Sequence, residues 1–372
     1  MTLMTACSSS EAVRVDWSAG DFQTVLETSL RQLRSDTGLT GVAAAVMTAG
    51  RFRGVAVDGE RRRGSGIPVT VNDRWHAGSI AKSMTATLIA VMEHEGKLSI
   101  DMALPELMPE IEMAGGWRPC TLKHLLTHTA GAPANFPMKV LKVWPGTAEE
   151  LVAARRQFIA EILAEEPESP CGERYSYSNV GYTIVGHIAE TIAGKPYESL
   201  MRQKVFLPLE LNSAGFGPPK GDEPNQEPLG HMKLLWLRYA LDPFEWPADN
   251  TPVMAPAGGV HLSIRDLACY GSIHLEGANG TATSILPQEN WERLHTPFLE
   301  DYAHGWVRYQ REWAGGPLIW HNGSNTLWYA LLMLLPARNT VLAFATNDGA
   351  IEEAEKAFVG LARQLSEGTP AS

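Results

Sequence analysis

Two side chains one helical turn apart raise the question of chemistry. In "RWHAGSIAKSMTATLIAVMEHEGKLSID", Ser79 stands three residues before Lys82. The pattern predicts a long amphipathic helix from about Ser79, with Met84, Leu88, Val91 and Met92 inward and a stop at Gly96. Residues i and i+3 of a helix face the same way, so the Lys82 amine is in reach of the Ser79 hydroxyl. A serine hydroxyl is a poor nucleophile without a base. A lysine can be that base if it is held neutral, and both a helix N-terminus and burial push its pKa down. The backbone N–H groups at the same terminus can face a developing oxyanion. Ser-x-x-Lys also arises by chance, so the reading needs partners.

Two further stretches are candidates. In "ERYSYSNVGYTIVGHIAETIAG", Tyr177-Ser178-Asn179 precede a helix whose apolar face holds Tyr182, Val185, Ile188 and Ile192. A tyrosine beside a helix start can exchange protons, and an amide can position a substrate carbonyl. The plainer reading is that Ser178 or Asn179 caps the helix. In "PLIWHNGSNTLWYALLML", His321-Asn322-Gly323-Ser324 leads into a buried strand. Gly323 would let a substrate approach the backbone closely. Alone, this is a turn between strands.

Together, Ser-x-x-Lys, Tyr-x-Asn and His-x-Gly in this order resemble the serine β-lactamase and penicillin-binding-protein superfamily. The match is closest to its class C-like branch, which also holds family VIII carboxylesterases and D-stereospecific peptidases. The resemblance covers about 20 to 365, supported by "HLLTHTAGAP" at 124–133 and "APAGGVHLSIRDLACYGSIHL" at 255–275. It implies that Ser79 is the acylated nucleophile and Lys82 its proton acceptor. Tyr177 would shuttle protons to the leaving group and from the deacylating water. Asn179 would hold the acyl side chain, and the N–H groups of Ser79 and Ser324 would form the oxyanion hole. It implies neither a cofactor nor a metal. The expected function is a serine hydrolase acting through an acyl-enzyme, first a carboxylesterase. β-Lactamase and D-stereospecific peptidase or DD-peptidase are alternatives, with a non-catalytic penicillin-binding-like sensor behind them. The partner is then a small ester, lactam or D-amino-acid-containing molecule.

The chain departs from the pattern where most β-lactamases carry a lysine that attracts carboxylates. His321 stands there, and a histidine is mostly neutral at pH 7. Asn322 also replaces the usual hydroxyl residue. Phe136, Trp144, Trp236, Phe244 and Trp246 lie in loops of the helical middle. They would either rim the site, suiting ester or aryl-acyl substrates, or pack the core of that part.

These residues need a scaffold. "DFQTVLETSLRQLRSDTG" reads as a helix with Phe22, Val25, Leu26, Leu30 and Leu33 on one face. "GVAAAVMTAGRFRGVAVDG" reads as two strands around a tight turn at Ala49-Gly50. From about 302 the texture returns to strands, and the chain closes with the helical "AIEEAEKAFVGLARQL". The expected fold is α+β: an antiparallel sheet flanked by helices, with an inserted all-α subdomain. The division reads as 15–105 together with 276–368 for the sheet part and 106–275 for the helical insert, with the active site between them. Pro-containing loops at 133–145 and 217–228 read as lids or binding walls.

The remaining signals mostly exclude. The net charge of −11 argues against a nucleic-acid binder. No apolar run approaches the roughly 20 residues of a membrane helix, and "WYALLMLLP" reads as a buried strand. His124 and His128 have zinc-pair spacing, but Leu125 stands where a zinc protease carries glutamate and no third ligand stands out. No G-x-S-x-G, P-loop or G-x-G-x-x-G occurs. The four cysteines, Cys7, Cys120, Cys171 and Cys269, are scattered and read as free buried thiols. Cys7 in "LMTACSSS" is alternatively the remnant of a lipoprotein signal, which would make the protein periplasmic or lipid-anchored rather than cytoplasmic.

Overall fold

The computed structural model describes residues 20–222, 226–235, 237–244, 247–281 and 285–367. Cys7, Trp236 and Trp246 lie outside the described residues. Strands β1 (Gly41–Thr48) and β2 (Arg51–Gly59) form a hairpin. Its two turn residues, Ala49 and Gly50, both have positive φ, 51° and 72°, which matches the twist of a two-residue hairpin. Short strands β3 (Arg74–His76), β4 (Gly215–Phe216), β5 (His231–Leu234), β6 (Leu237–Ala240) and β7 (Val260–Ser263) follow, then β8 (Val307–Arg311), β9 (Gly316–Ser324), β10 (Tyr329–Leu335) and β11 (Thr340–Thr346). The main sheet is six-stranded, in the order β2-β1-β11-β10-β9-β8, and its pairings are antiparallel.

Alternation along the strands explains why helices cover both faces. Ala43, Ala45, Leu332, Leu334 and Ala343 point into one core, and Val42, Ala44, Leu331, Met333 and Phe344 into the other. Both sets are apolar, so "YALLMLL" is continuous in sequence and buried throughout. Helices α1 (Gly20–Thr37) and, at the end of the chain, Ile351–Glu367 cover the outer face. The longer helices between them are α2 (Ala81–His94), α3 (Ala148–Leu163), α4 (Asn179–Ala193) and α5 (Ile264–Ala278); the last helix is α6. Helix α5 packs on β11, β1 and β10 on the inner face.

Helix α2 differs from the expected amphipathic helix. Every residue from Ala81 to Met92 is buried. Apart from Lys82, its buried polar side chains are short and bond back to the helix: Ser83 Oγ to the Ile80 carbonyl at 2.7 Å, Thr85 Oγ1 to Ala81 at 3.0 Å, and Thr87 Oγ1 to Ser83 at 2.9 Å. Capped in this way, they are compatible with a helix buried all round. Gly96 follows its end with φ of 71°.

The thiols are a second correction. Cys120 and Cys171 form a disulfide across 51 residues, with Cα atoms 5.4 Å apart, and no described cysteine is free. Scattered spacing hides such a pair because the two cysteines meet only through the fold. No helix among the described residues is long and apolar enough to cross a membrane.

Candidate active site

Ser79 sits in a single 3-10 turn, Gly78–Ile80, that runs directly into α2. Lys82 is one turn on and fully buried. Its Nζ lies 3.0 Å from Ser79 Oγ, 2.7 Å from Asn179 Oδ1 and 2.7 Å from the Ala257 carbonyl oxygen. Burial holds its pKa well below the ordinary lysine value. A neutral amine has two N–H donors and one lone pair. The amide oxygen and the carbonyl oxygen only accept, so both N–H groups go to them. The lone pair is left facing the Ser79 hydroxyl, which is the arrangement a proton acceptor needs.

Asn179 is the first residue of α4, which Ser178 caps by accepting from the Gly181 N–H at 2.8 Å. The capping reading of Tyr177-Ser178-Asn179 is realised at Ser178, and Asn179 beside it faces Lys82. Asn179 Nδ2 donates to Asn135 Oδ1 at 2.6 Å, which brings the 133–145 loop to the site. The Tyr177 ring lies under the lysine, with Nζ 4.7 Å from its centroid. Its phenol hydrogen-bonds with the Ser79 side chain, and burial raises its pKa, so it stays protonated through the neutral range.

The backbone of β9 presses against the serine turn. Gly78 has φ of 51°, and a Cβ there would sit 2.2 Å from the Ser324 nitrogen. A Cβ on Gly323 would sit 2.0 Å from the Ala77 carbonyl oxygen and 2.5 Å from the Ser79 nitrogen. Only glycine permits this approach at either position. The Ser324 hydroxyl is engaged elsewhere: it donates to the Trp328 carbonyl at 2.6 Å and accepts from the Thr326 N–H at 2.8 Å. What Ser324 offers the site is its backbone.

His321 is buried behind Tyr302, its Nε2 3.2 Å from the tyrosine hydroxyl. Its Nδ1 faces the Asn322 carbonyl, which only accepts, so Nδ1 carries the proton and Nε2 takes the Tyr302 O–H. Burial pushes its pKa down to about 3. It is a neutral residue over the physiological range. Asn322 points to the opposite face of the sheet, toward Tyr329 and Glu355 of α6. Alternation along β9 puts it there, so its side chain is not one that a substrate on the serine side meets.

Several residues around this cluster were not among the candidate site residues. His128 has φ of 58° and accepts the Ser178 N–H on Nδ1 at 3.0 Å, which anchors the Tyr177 segment. Its ring lies 4.4 Å from Tyr177, 5.1 Å from Tyr182 and 4.6 Å from Tyr302. The helix carrying His124 ends at Leu126, so His124 and His128 do not share a helical face. His124 Nδ1 instead accepts the Thr121 N–H at 3.0 Å. Of the aromatic candidates, Phe136 is core, whereas Trp144 and Phe244 are exposed.

The family model for beta-lactamases matches residues 26–364. The chain belongs to the beta-lactamase family. With that family it is a serine hydrolase, related to β-lactamases and penicillin-binding proteins. It is 27% identical over 352 residues to "Penicillin-binding protein 4" of Amycolatopsis lactamdurans, covering 90% of this chain and 86% of that one. It is 22% identical over 268 residues to a beta-lactamase of Providencia stuartii, covering 72% of this chain and 63% of that one. The solved structure of a class C beta-lactamase superposes with a TM-score of 0.78 at 16% identity, covering 96% of this chain and 99% of that chain. That likeness carries the fold: an antiparallel sheet with helices on it.

Proposed function

We propose that the protein hydrolyses small carboxylic esters through an acyl-enzyme on Ser79. The observation that carries the reading is the surroundings of Lys82, whose only hydrogen-bonding partner able to donate, among the described residues, is the Ser79 hydroxyl. Lys82 takes the hydroxyl proton as Oγ attacks the acyl carbonyl. The N–H groups of Ser79 and Ser324 hold the resulting oxyanion, and loss of one such donor typically costs about 10²–10³ in rate. Tyr177 passes a proton to the departing oxygen, and Ser79 is left acylated. Water then attacks the acyl carbon, giving its proton back through the same groups and releasing the acid. The acyl side chain lies against Asn179, with the chemistry where the serine turn, the end of β9 and the start of α4 meet.

The preference for esters rests on His321. It is neutral where a carboxylate-binding enzyme of this kind carries a cation, so a penicillin or peptidoglycan carboxylate gains no ion pair there. The second reading is a lactam or D-amino-acid amide substrate on the same site, favoured by the intact Tyr177, since an amine leaves poorly unless protonated. The test compares initial rates on p-nitrophenyl butyrate and a chromogenic cephalosporin, with Ser79→Ala protein as the blank. Fast ester cleavage with little lactam turnover supports the ester reading. Comparable lactam turnover moves the assignment to β-lactamase.

A further inference from the structure

A buried polar chain joins the two halves of the oxyanion site. His76 is fully buried just before the serine turn. Its Nδ1 accepts the Gly78 N–H at 3.1 Å, so the ring proton is on Nε2, which donates to Asp249 Oδ2 at 3.0 Å. The other carboxylate oxygen, Oδ1, accepts from Asn325 Nδ2 at 2.9 Å and from the Asn250 N–H at 2.7 Å. Asn325 Oδ1 in turn accepts the Leu327 N–H at 3.2 Å. Asp249 and Asn325 are both buried. One carboxylate therefore grips the Gly78–Ser79 turn on one side and the residue after Ser324 on the other.

A histidine–aspartate pair this close to a reactive serine suggests a relay, but the geometry excludes one. Both ring nitrogens of His76 are engaged, with Gly78 and with Asp249, and neither is left for Ser79. The pair touches backbone, not reacting atoms. We propose that Asp249 is a positioning residue: through His76 and Asn325 it sets the spacing between the Ser79 and Ser324 N–H groups. The inference rests on the reading of Ser79 as the nucleophile. An oxyanion hole works only if its donors are fixed before the charge develops. The close backbone approach at Gly78 and Gly323 supplies the contact, and the Asp249 carboxylate ties both sides of it together.

The test measures kcat and KM for p-nitrophenyl butyrate, Ki for phenylboronic acid and thermal unfolding, in wild type and Asp249→Asn. The boronate forms a tetrahedral adduct with the serine and reports on the hole without turnover. Asp249→Asn keeps an acceptor for His76 but turns an N–H toward Asn325. The expected result is a kcat about 10- to 100-fold lower, a boronate Ki raised by a similar factor, and a KM within about twofold. The double variant Asp249→Asn/Asn325→Asp exchanges donor and acceptor and should recover part of the loss. A folded Asp249→Asn protein with wild-type kcat and Ki overturns the inference, as does a loss confined to KM. If Asp249→Asn does not fold, Asn325→Ala, which cuts one arm only, is read in the same way. Absence of Ser79-dependent turnover in the wild type overturns the active-site reading itself, a different outcome from either.

Discussion

Lys82 sets the pH behaviour of the site. Burial holds its pKa well below the ordinary value in the native protein, whereas in the unfolded chain a lysine holds its proton up to a pH of about 10.4. Between these limits the unfolded state binds one more proton, so this residue makes stability rise with pH. The difference in unfolding free energy between wild type and Lys82→Met should grow in favour of wild type from neutral pH toward pH 10. Denaturant titrations at three pH values would show it, and a flat difference would mean that the native amine is charged. Activity has the same direction: kcat/KM should climb as Lys82 loses its proton, and no descending limb should appear until the Tyr177 phenol ionises above its ordinary range. His321, already neutral above a pH of about 3, contributes no limb near neutrality. Ser79→Ala should abolish turnover with unfolding unchanged, since the serine is only half-buried. At this scale, the residues proposed to react were visible as motifs, because their types and spacings are local. Their supports were not: His128, Tyr302 and Ala257 reach the site from distant segments, and a carbonyl that holds a lysine has no signature in residue type.

Among the elements, the turn before α2 and the end of β9 carry the geometry. Their backbones touch because Gly78 and Gly323 lack side chains. Gly323→Ala should cost about 1–3 kcal/mol by overpacking and reduce kcat by about 10²–10³ if the strand end moves away from Ser79. Urea unfolding and ester kinetics on one preparation separate the two effects, and an alanine variant of normal activity would mean that the approach is not needed. The elements themselves were readable where periodicity is strong. The β1–β2 hairpin, the C-terminal strands and the closing helix all lie where alternation and helical spacing put them. Helix α2 was misread as half-exposed because serine and threonine count as polar in a pattern, although each one bonds to its own helix. Asn322 departs from the family pattern at a position whose side chain alternation along β9 sends to the other face, toward Glu355, which its residue type does not reveal.

For the molecule as a whole, the Cys120–Cys171 bridge encloses the 133–145 loop that brings Asn135 to the site. Closing a loop of 51 residues limits the unfolded chain, by about 4 kcal/mol in the chain-entropy account. The Cys120→Ala/Cys171→Ala protein should therefore unfold at lower urea concentration, by about 2–4 kcal/mol, and an unchanged midpoint would show that the bridge does not form. The pairing of β1 with β11 has a further consequence. Thr346 donates to the Gly41 carbonyl across 305 residues. A nascent chain thus releases the β1–β2 hairpin first, but β1 has no partner on its other side until β11, about 300 residues on, has been made. Contacts this distant in sequence make folding slow. Until then, the apolar residues of β1 stand beside an open strand edge, the kind of surface on which chains stick to one another. Yield in a cell should then depend less on the stability of the finished fold than on how well this hairpin is sheltered until β11 leaves the ribosome.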